Sequence, residues 1–495
     1  MSRHSYITGI LKFRMICGFL LFVTSFCTVF GLFSCNGRIK IVETINSYPD
    51  IFPDYVNITI PVNIAPLNFV MQDGSEKMEA HFVCDDQVLL KCKGRQKISI
   101  PGKEWHRMLH KVAGRDLQAF VYVRKSRKWY AYQPFNIHVA NDSIDPYIVY
   151  RLIEPGYELW DRMGIYQRNL STFNESAIII NALTGWNCIN CHSFHNYNPD
   201  RMIFHARGGT SSGTFLLADY KMKLVNTKTE NAASAATYPM WHPSGDFIAF
   251  SSNLTRQVFH VLPGKKIEVF DYESDLVIWD IKNGTMIRDI RYSTKDVWET
   301  FPAWSPDGKW LFYCVAEKKD MPMESEHLKY GLCRVDFDVK TGHFGEKVDT
   351  IVNPEISGKS VSFPRISPDG RYLLYTASAN ATFPIWHNEA KLEMINLSDG
   401  TVVDIETVNS EEADSYHAWS SNGRWIVFSS RRIDGLYTRL FFAYFDSSGQ
   451  IHKPFLLPQK DPRSNIDLLK SYNIPEFIKG KVKLNPYNIS NIHNN

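Results

Sequence analysis

Hydrophobic and polar positions along this chain repeat as two short strands joined by a tight turn. Tyr238-Pro-Met-Trp-His-Pro-Ser-Gly-Asp-Phe-Ile-Ala-Phe250 recurs as Phe301-Pro-Ala-Trp-Ser-Pro-Asp-Gly-Lys-Trp-Leu-Phe-Tyr313 and as Phe363-Pro-Arg-Ile-Ser-Pro-Asp-Gly-Arg-Tyr-Leu-Leu-Tyr375. Tyr416-His-Ala-Trp-Ser-Ser-Asn-Gly-Arg-Trp-Ile-Val-Phe428 is a fourth copy. Proline presets φ and Gly or Asn tolerates positive φ, so each turn joins two antiparallel strands. A degenerate fifth copy reads as Phe194-His-Asn-Tyr-Asn-Pro-Asp-Arg-Met-Ile-Phe-His205, beginning two residues after His192. Between copies lie outer hairpins: Leu276–Asp280 turning at Asn283-Gly284, Gly331–Asp336 at Thr341-Gly342, Leu392–Leu397 at Asp399-Gly400, Leu440–Asp446 at Ser448-Gly449, and the weaker Phe215–Val225. One more, Gly164–Ile180, precedes the first inner copy. Six outer hairpins and five inner pairs predict an all-β, six-bladed propeller of four-stranded blades. The missing inner strands would come from Pro146–Ile153 or the C-terminal tail, and closure of the ring would remove free sheet edges.

Upstream the pattern changes. Val56–Val70, Met78–Cys84, Gln87–Lys91, Lys97–Ile100, Leu117–Val123 and Trp129–Val139 are short β-like runs without the repeat. They predict a small β-sandwich of immunoglobulin or fibronectin type, with Asn141–Asp145 as the boundary. The expected organisation is a signal at 1–34, a tether at 35–54, the sandwich at 55–145, the propeller at 146–480 and a tail at 481–495.

Composition narrows the class. Hydrophobic content of 44% and charged content of 22% are those of a folded protein, and 14% aromatic residues suit β-structure. A net charge of +3 with no basic run after the N-terminus argues against nucleic acid as a partner. Arg3, Lys12 and Arg14 precede an apolar run from Met15 to Phe33, then Leu32-Phe33-Ser34-Cys35. This is the pattern of an export signal ending in a lipid-accepting Cys35, the alternative being an uncleaved apolar anchor. Both place the rest of the chain outside the cytoplasm, tethered to a membrane of the bacterial envelope and facing the periplasm, with surface exposure also open.

Cys188-Ile-Asn-Cys-His192 carries the candidate chemistry. C-x-x-C-H is the signature of covalent haem c attachment: two thiols add to the haem vinyl groups and the adjacent histidine meets the iron. Cys188, Cys191 and His192 are thus the expected haem c site, with His205 as the sixth ligand ahead of Met202, and His195 in reserve. Counting outward from a turn at Pro199-Asp200 places Tyr197 opposite Met202 and Phe194 near His205, leaving Met202 about 13 Å from the haem end. Arg207 is a candidate partner for a haem propionate. The other readings of the motif are a disulfide or redox pair, a structural zinc site and chance. Among the other cysteines, Cys84 with Cys92 and Cys314 with Cys333 are candidate disulfides. Gly209-Thr-Ser-Ser-Gly213 matches the G-x-S-x-G elbow formally, yet lies between blade strands rather than in a strand-turn-helix, and reads as a turn. Ser429-Ser-Arg-Arg-Ile-Asp-Gly435 reads as a blade turn held by hydrogen bonds.

The repeats resemble the TolB-type propeller, whose blades carry the same aromatic-Pro-x-Trp-Ser-Pro-Asp-Gly pattern, over roughly residues 160–460. With the lipobox, the C-x-x-C-H and Ile60-Pro-Val-Asn-Ile-Ala-Pro-Leu-Asn68, the whole is similar to bacterial lipoproteins labelled TolB-like or cytochrome c biogenesis proteins. TolB itself has an α/β N-terminal domain, from which residues 55–140 depart. The expectation is a membrane-tethered c-type haem protein, an electron carrier or redox partner of a larger system docking an envelope protein on its propeller face. The alternative is a non-enzymatic interaction scaffold in which Cys188 and Cys191 form a disulfide or metal site.

Overall fold

The computed structural model describes residues 39–154, 162–208, 212–218, 221–228, 234–259, 267–292, 294–380 and 383–484. The segment expected to be an export signal, Cys35, Gly209–Ser211 and residues from 485 lie outside them. No helix among the described residues is long and apolar enough to cross a membrane.

Six four-stranded antiparallel sheets follow one another along the chain from residue 147. The inner strands of the second to sixth are Cys188–Phe194, Ala236–Trp241, Val297–Trp304, Ser360–Ile366 and Asp414–Trp419. The first sheet is built from both ends of this region: Tyr147–Ile153, Met163–Asn169 and Glu175–Ile180 supply three strands, and Ser471–Ile478 supplies the innermost. Both candidate sources of the missing strands are therefore used, in one sheet. Each inner strand touches the next, and Ser471–Ile478 touches both Asp414–Trp419 and Cys188–Phe194, so the contacts run in a cycle.

The repeat has a physical basis in each turn. Ser305 Oγ donates to Asp307 at 2.6 Å and accepts from Trp310 N at 3.0 Å, and Ser367–Asp369 and Ser420–Asn422 do the same. The tryptophan ties neighbouring sheets together: Nε1 of Trp241, Trp304 and Trp419 donates to Ser193, Met240 and Arg365 carbonyls of the preceding inner strand at 3.3, 3.1 and 3.2 Å.

The N-terminal unit has a seven-stranded sheet, a three-stranded sheet and one helix, α1 (Gly102–Lys111). Its sheet is mixed, since Ile41–Ile45 and Ile58–Pro61 pair in parallel with Lys128–Tyr132 and Phe135–Ala140. Trp105, Met108 and Leu109 of α1 enter the core, where Trp105 Nε1 donates to Ile64 O at 3.0 Å. The unit is bound to the sixth sheet. Asp145 accepts from Ser421 N and Oγ, both at 2.7 Å, Asp142 accepts from Tyr444 Oη at 2.6 Å, and one apolar cluster includes both Trp105 and Trp425. Asn141–Asp145 is thus a strap fixed by its side chains.

The four outlying cysteines are free thiols. Cys92 faces Ala80, four residues or about 13 Å along the strand from Cys84. Cys333 faces Tyr313, so Cys314 is one residue out of register with it; the two point to opposite faces of the fourth sheet, into different clusters. Neither candidate disulfide forms.

Candidate functional site

Each inner strand carries a bulge at the same place. Cys191, Tyr238, Phe301, Phe363, Tyr416 and Ile474 have φ of 55, 52, 51, 53, 44 and 53°, and the ladder breaks register at each. Positive φ is costly for these side chains, and a bulge re-aims a side chain out of the ladder. The six bulges surround one central cavity of about 30 Å³.

This geometry corrects the alignment of the fifth copy. It begins at Cys191, not Phe194: Cys191-His192 occupy the place of Tyr238-Pro239, and Phe194 that of Trp241. The 3-10 turn His195–Tyr197, with Asn196 and Tyr197 at positive φ, moves the turn toward the motif. Met202 consequently pairs with Phe194, and His205 with Asn190. The C-H of the C-x-x-C-H is thus this sheet's version of the inner bulge. Tyr416-His417 is another, with histidine again where the other copies have proline. A sixth copy, Ile474-Pro475, escapes a search for an aromatic residue at the first position.

Aromatic rings plug the cavity's surroundings. Ring centroids lie 4.6 Å apart for Tyr238–Phe301, 4.2 Å for Phe301–Phe363 and 5.0 Å for Phe363–Tyr416. His192 is 2% exposed, and neither ring nitrogen has a well-formed hydrogen bond. Burial, aided by Arg151, lowers it to about 3, against a weaker pull from the Ile474 backbone. His417 is lowered to about 3 for the same first reason, donates through Nε2 to Leu374 O (3.1 Å), and has no well-formed hydrogen bond at Nδ1. Glu476 is raised to about 8 by burial, partly offset by Arg365. Toward the Pro-Asp-Gly turns the channel widens into an opening of about 480 Å³ walled by Trp241, Trp304, Trp419 and Phe477, with Arg365 and Glu476 at its floor.

At the other end of its inner strand, Cys188 faces Arg207 across the ladder. Cys191 is buried, which raises its pKa. His205 packs away from the cavity with Nδ1 3.1 Å from Thr214 Oγ1, and His195 Nε2 lies 3.0 Å from Pro243 O on the turn side. A long hairpin, Phe247–Phe259 with Ile267–Asp280, reaches the fourth and fifth sheets. There Asp271 accepts from Tyr330 Oη at 3.0 Å, and Glu268 meets His387 at 3.2 Å. Of Ser429–Gly435, Ser429 and Ser430 end the strand Trp425–Ser430, and the turn begins at Arg431, whose carbonyl accepts from Gly435 N at 2.8 Å; Ser429 Oγ donates to Tyr472 O at 2.9 Å and Arg432 pairs with Asp414 at 2.8 Å.

Cys191 and His192 share one cavity, but a porphyrin does not fit it. Its volume accommodates a water or two, and the aromatic plug fills the space in front of His192. His192 lines the cavity whereas His205 pairs with Asn190 and turns to Thr214, so the two rings do not converge on one space. The donor chemistry of haem c is present, and a haem on it would lie outside this cavity, on the Cys188 side. Among the described residues no three His, Cys, Asp or Glu side chains converge as metal ligands.

No family model matches the chain, and no curated protein sequence does. Solved structures similar to it include a DUF4784 family protein from Bacteroides caccae, at 7% identity over 76% of this chain and 98% of that one, with a TM-score of 0.29. Prolyl oligopeptidase B from Galerina marginata matches at 11% identity over 68% of this chain and 42% of its own, TM-score 0.34. Porphyromonas gingivalis dipeptidyl peptidase 4 matches at 9% identity over 61% of this chain and 46% of its own, TM-score 0.31. The chain spans less than half the length of either peptidase, and superpositions this loose carry no inference about function.

Proposed function

We propose that this chain is a six-bladed, TolB-like propeller with a β-sandwich-like N-terminal unit, acting as a non-enzymatic interaction scaffold of the bacterial envelope. The cyclic contact of the inner strands supports the propeller reading. The Cys35 lipobox supports a lipid tether facing the periplasm. The observation that carries the scaffold reading is the place of Cys191-His192 at the bulge that other sheets fill with aromatic-proline, against a plugged channel. In this reading the motif is part of the inner wall. The turn-side opening, apolar at its walls and charged at its floor, is the docking surface for an envelope protein partner.

The test is to express the full chain with a haem c maturation system, then record intact mass and a pyridine haemochrome spectrum. Unmodified mass and a colourless protein are expected. Covalently retained haem would overturn the scaffold reading and restore the c-type haem, electron-transfer reading.

A further inference from the structure

The second residue after each inner bulge belongs to a ring. In sheet order these residues are Glu476, Ser193, Met240, Ala303, Arg365 and Ala418, and all six line the turn-side opening of about 480 Å³. Four of them are neutral. The other two carry opposite charge, and only Ala418 of the sixth sheet stands between Arg365 of the fifth and Glu476 of the first. A methyl group is all that Ala418 contributes between the guanidinium and the carboxyl.

The two charges line one space without pairing. Among the described residues neither Arg365 nor Glu476 belongs to an ion pair, whereas the cations before and after Arg365 in the chain, Lys359 and Arg371, are paired to Glu393 and Asp369. Arg365 is held by its surroundings: Nη1 donates to Pro364 O at 3.0 Å, and its own carbonyl accepts from Trp419 Nε1 at 3.2 Å. Both side chains are half-buried, where a charge without a counter-charge is costly. An anion alone would satisfy the guanidinium and meet the carboxyl; a cation alone would do the reverse. A molecule carrying a carboxylate and an ammonium on neighbouring atoms satisfies both, the carboxylate matching the planar fork of the guanidinium. The wall above is aromatic, three tryptophans and Phe477, and the opening is of the size usual for small-molecule sites. Lys479, the further charge on the lining, is exposed and lies 5.5 Å from the Tyr197 ring.

We propose that this ring binds a free α-amino acid with an apolar side chain, its carboxylate on Arg365, its ammonium on Glu476 and its side chain against the tryptophan wall. The site goes beyond the scaffold reading, although it lies in the opening given there to a protein partner. The titration below contains no partner, so its failure leaves the scaffold reading standing, while the mass and haemochrome measurement decides that reading alone.

Full-length protein is titrated by calorimetry with L-phenylalanine, hydrocinnamate, phenethylamine and L-phenylalaninamide at neutral pH and constant ionic strength. L-Phenylalanine should bind about tenfold or more tightly than each of the others, which lack in turn the ammonium, the carboxylate and the carboxylate's charge. Glu476→Gln should weaken L-phenylalanine about tenfold or more and leave hydrocinnamate bound as in wild type or more tightly, a split that general loss of structure does not produce. Arg365→Gln should weaken L-phenylalanine and hydrocinnamate alike and spare phenethylamine. Absence of L-phenylalanine binding, hydrocinnamate or phenethylamine binding as tightly, or unchanged affinity in Glu476→Gln would each overturn the proposal. Equal binding of the amide would overturn it too, giving the ring to the N-terminal residue of a polypeptide.

Discussion

Replacing His387 by glutamine tests whether one ion triad, centred on a buried histidine, pins the long hairpin to the fifth sheet. His387 is 1% exposed and sits 3.2 Å from both Glu268 and Glu389. Burial alone would lower its pKa; the hydrogen bonds to the two carboxylates outweigh this and push it up to about 9. A folded pKa above the unfolded 6.5 means that protonation favours the folded, latched state. The contribution is fully present below pH 6.5 and is lost as pH rises through 9. Linkage gives about 3 kcal/mol at pH 6, about 2 kcal/mol at pH 7.5 and under about 0.5 kcal/mol at pH 9, all order-of-magnitude values. Glu389, lowered to about 2 chiefly by the same hydrogen bond, reports this interaction from its other side and adds no second contribution. The assay is hydrogen exchange of the hairpin amides in Ile267–Asp280, taken as the ratio of His387→Gln to wild type so that intrinsic pH effects cancel. That ratio should be on the order of a hundredfold at pH 6 and approach unity by pH 9.5. A pH-independent ratio would refute the latch, because lost packing alone does not titrate.

The channel floor behaves oppositely under substitution. Glu476 is raised to about 8, so the stability of its protonated form is present below pH 4.5 and is lost between there and pH 8; Glu476→Gln should match wild type at pH 4 and exceed its urea midpoint at pH 9. A variant no more stable than wild type at pH 9 would count against a buried carboxyl. Phe363→Ala removes the ring 4.2 Å from Phe301 and should cost about 3–5 kcal/mol by denaturant titration, whereas a cost below about 1 kcal/mol would mean the plug is not packed. Cys84, Cys92, Cys314 and Cys333 should all titrate as free thiols in unfolded, unreduced protein, and reductant should leave thermal stability unchanged. Loss of any of the four from the count would contradict the register.

The turns and outer hairpins were legible because their chemistry is local. Pro-Asp-Gly with a preceding serine closes a turn by its own hydrogen bonds, and alternation fixes which face is buried. The registers failed where a bulge intervenes, since the positive φ of Cys191 leaves no mark in composition and alignment slid to the nearest aromatic, Phe194. Ile474-Pro475 was hidden for the related reason that its bulge residue is aliphatic. Helix α1 did carry a signal, Trp105, Met108, Leu109 and Val112 at helical spacing, inside a stretch otherwise read as strands. Of the candidate site, Cys191 and His192 share the central cavity and Arg207 stands near Cys188. His205 lies elsewhere because cross-strand neighbours cannot be ordered by counting through an irregular turn. Arg151, Arg365 and Glu476 come from distant strands and become neighbours only through closure.

That closure has a consequence for how the chain is made. The first sheet lacks its innermost strand until residues 471–478 arrive, more than three hundred positions after its partner Tyr147–Ile153. Throughout synthesis the strand Tyr147–Ile153 therefore presents an open backbone edge, a template for wrong pairing. A chain that ends between the strand Phe455–Leu456 and the strand Ser471–Ile478 keeps the second to sixth sheets whole and leaves that edge bare. The seam thus works as a completion check, on which chaperones and proteases can act by telling finished molecules from fragments.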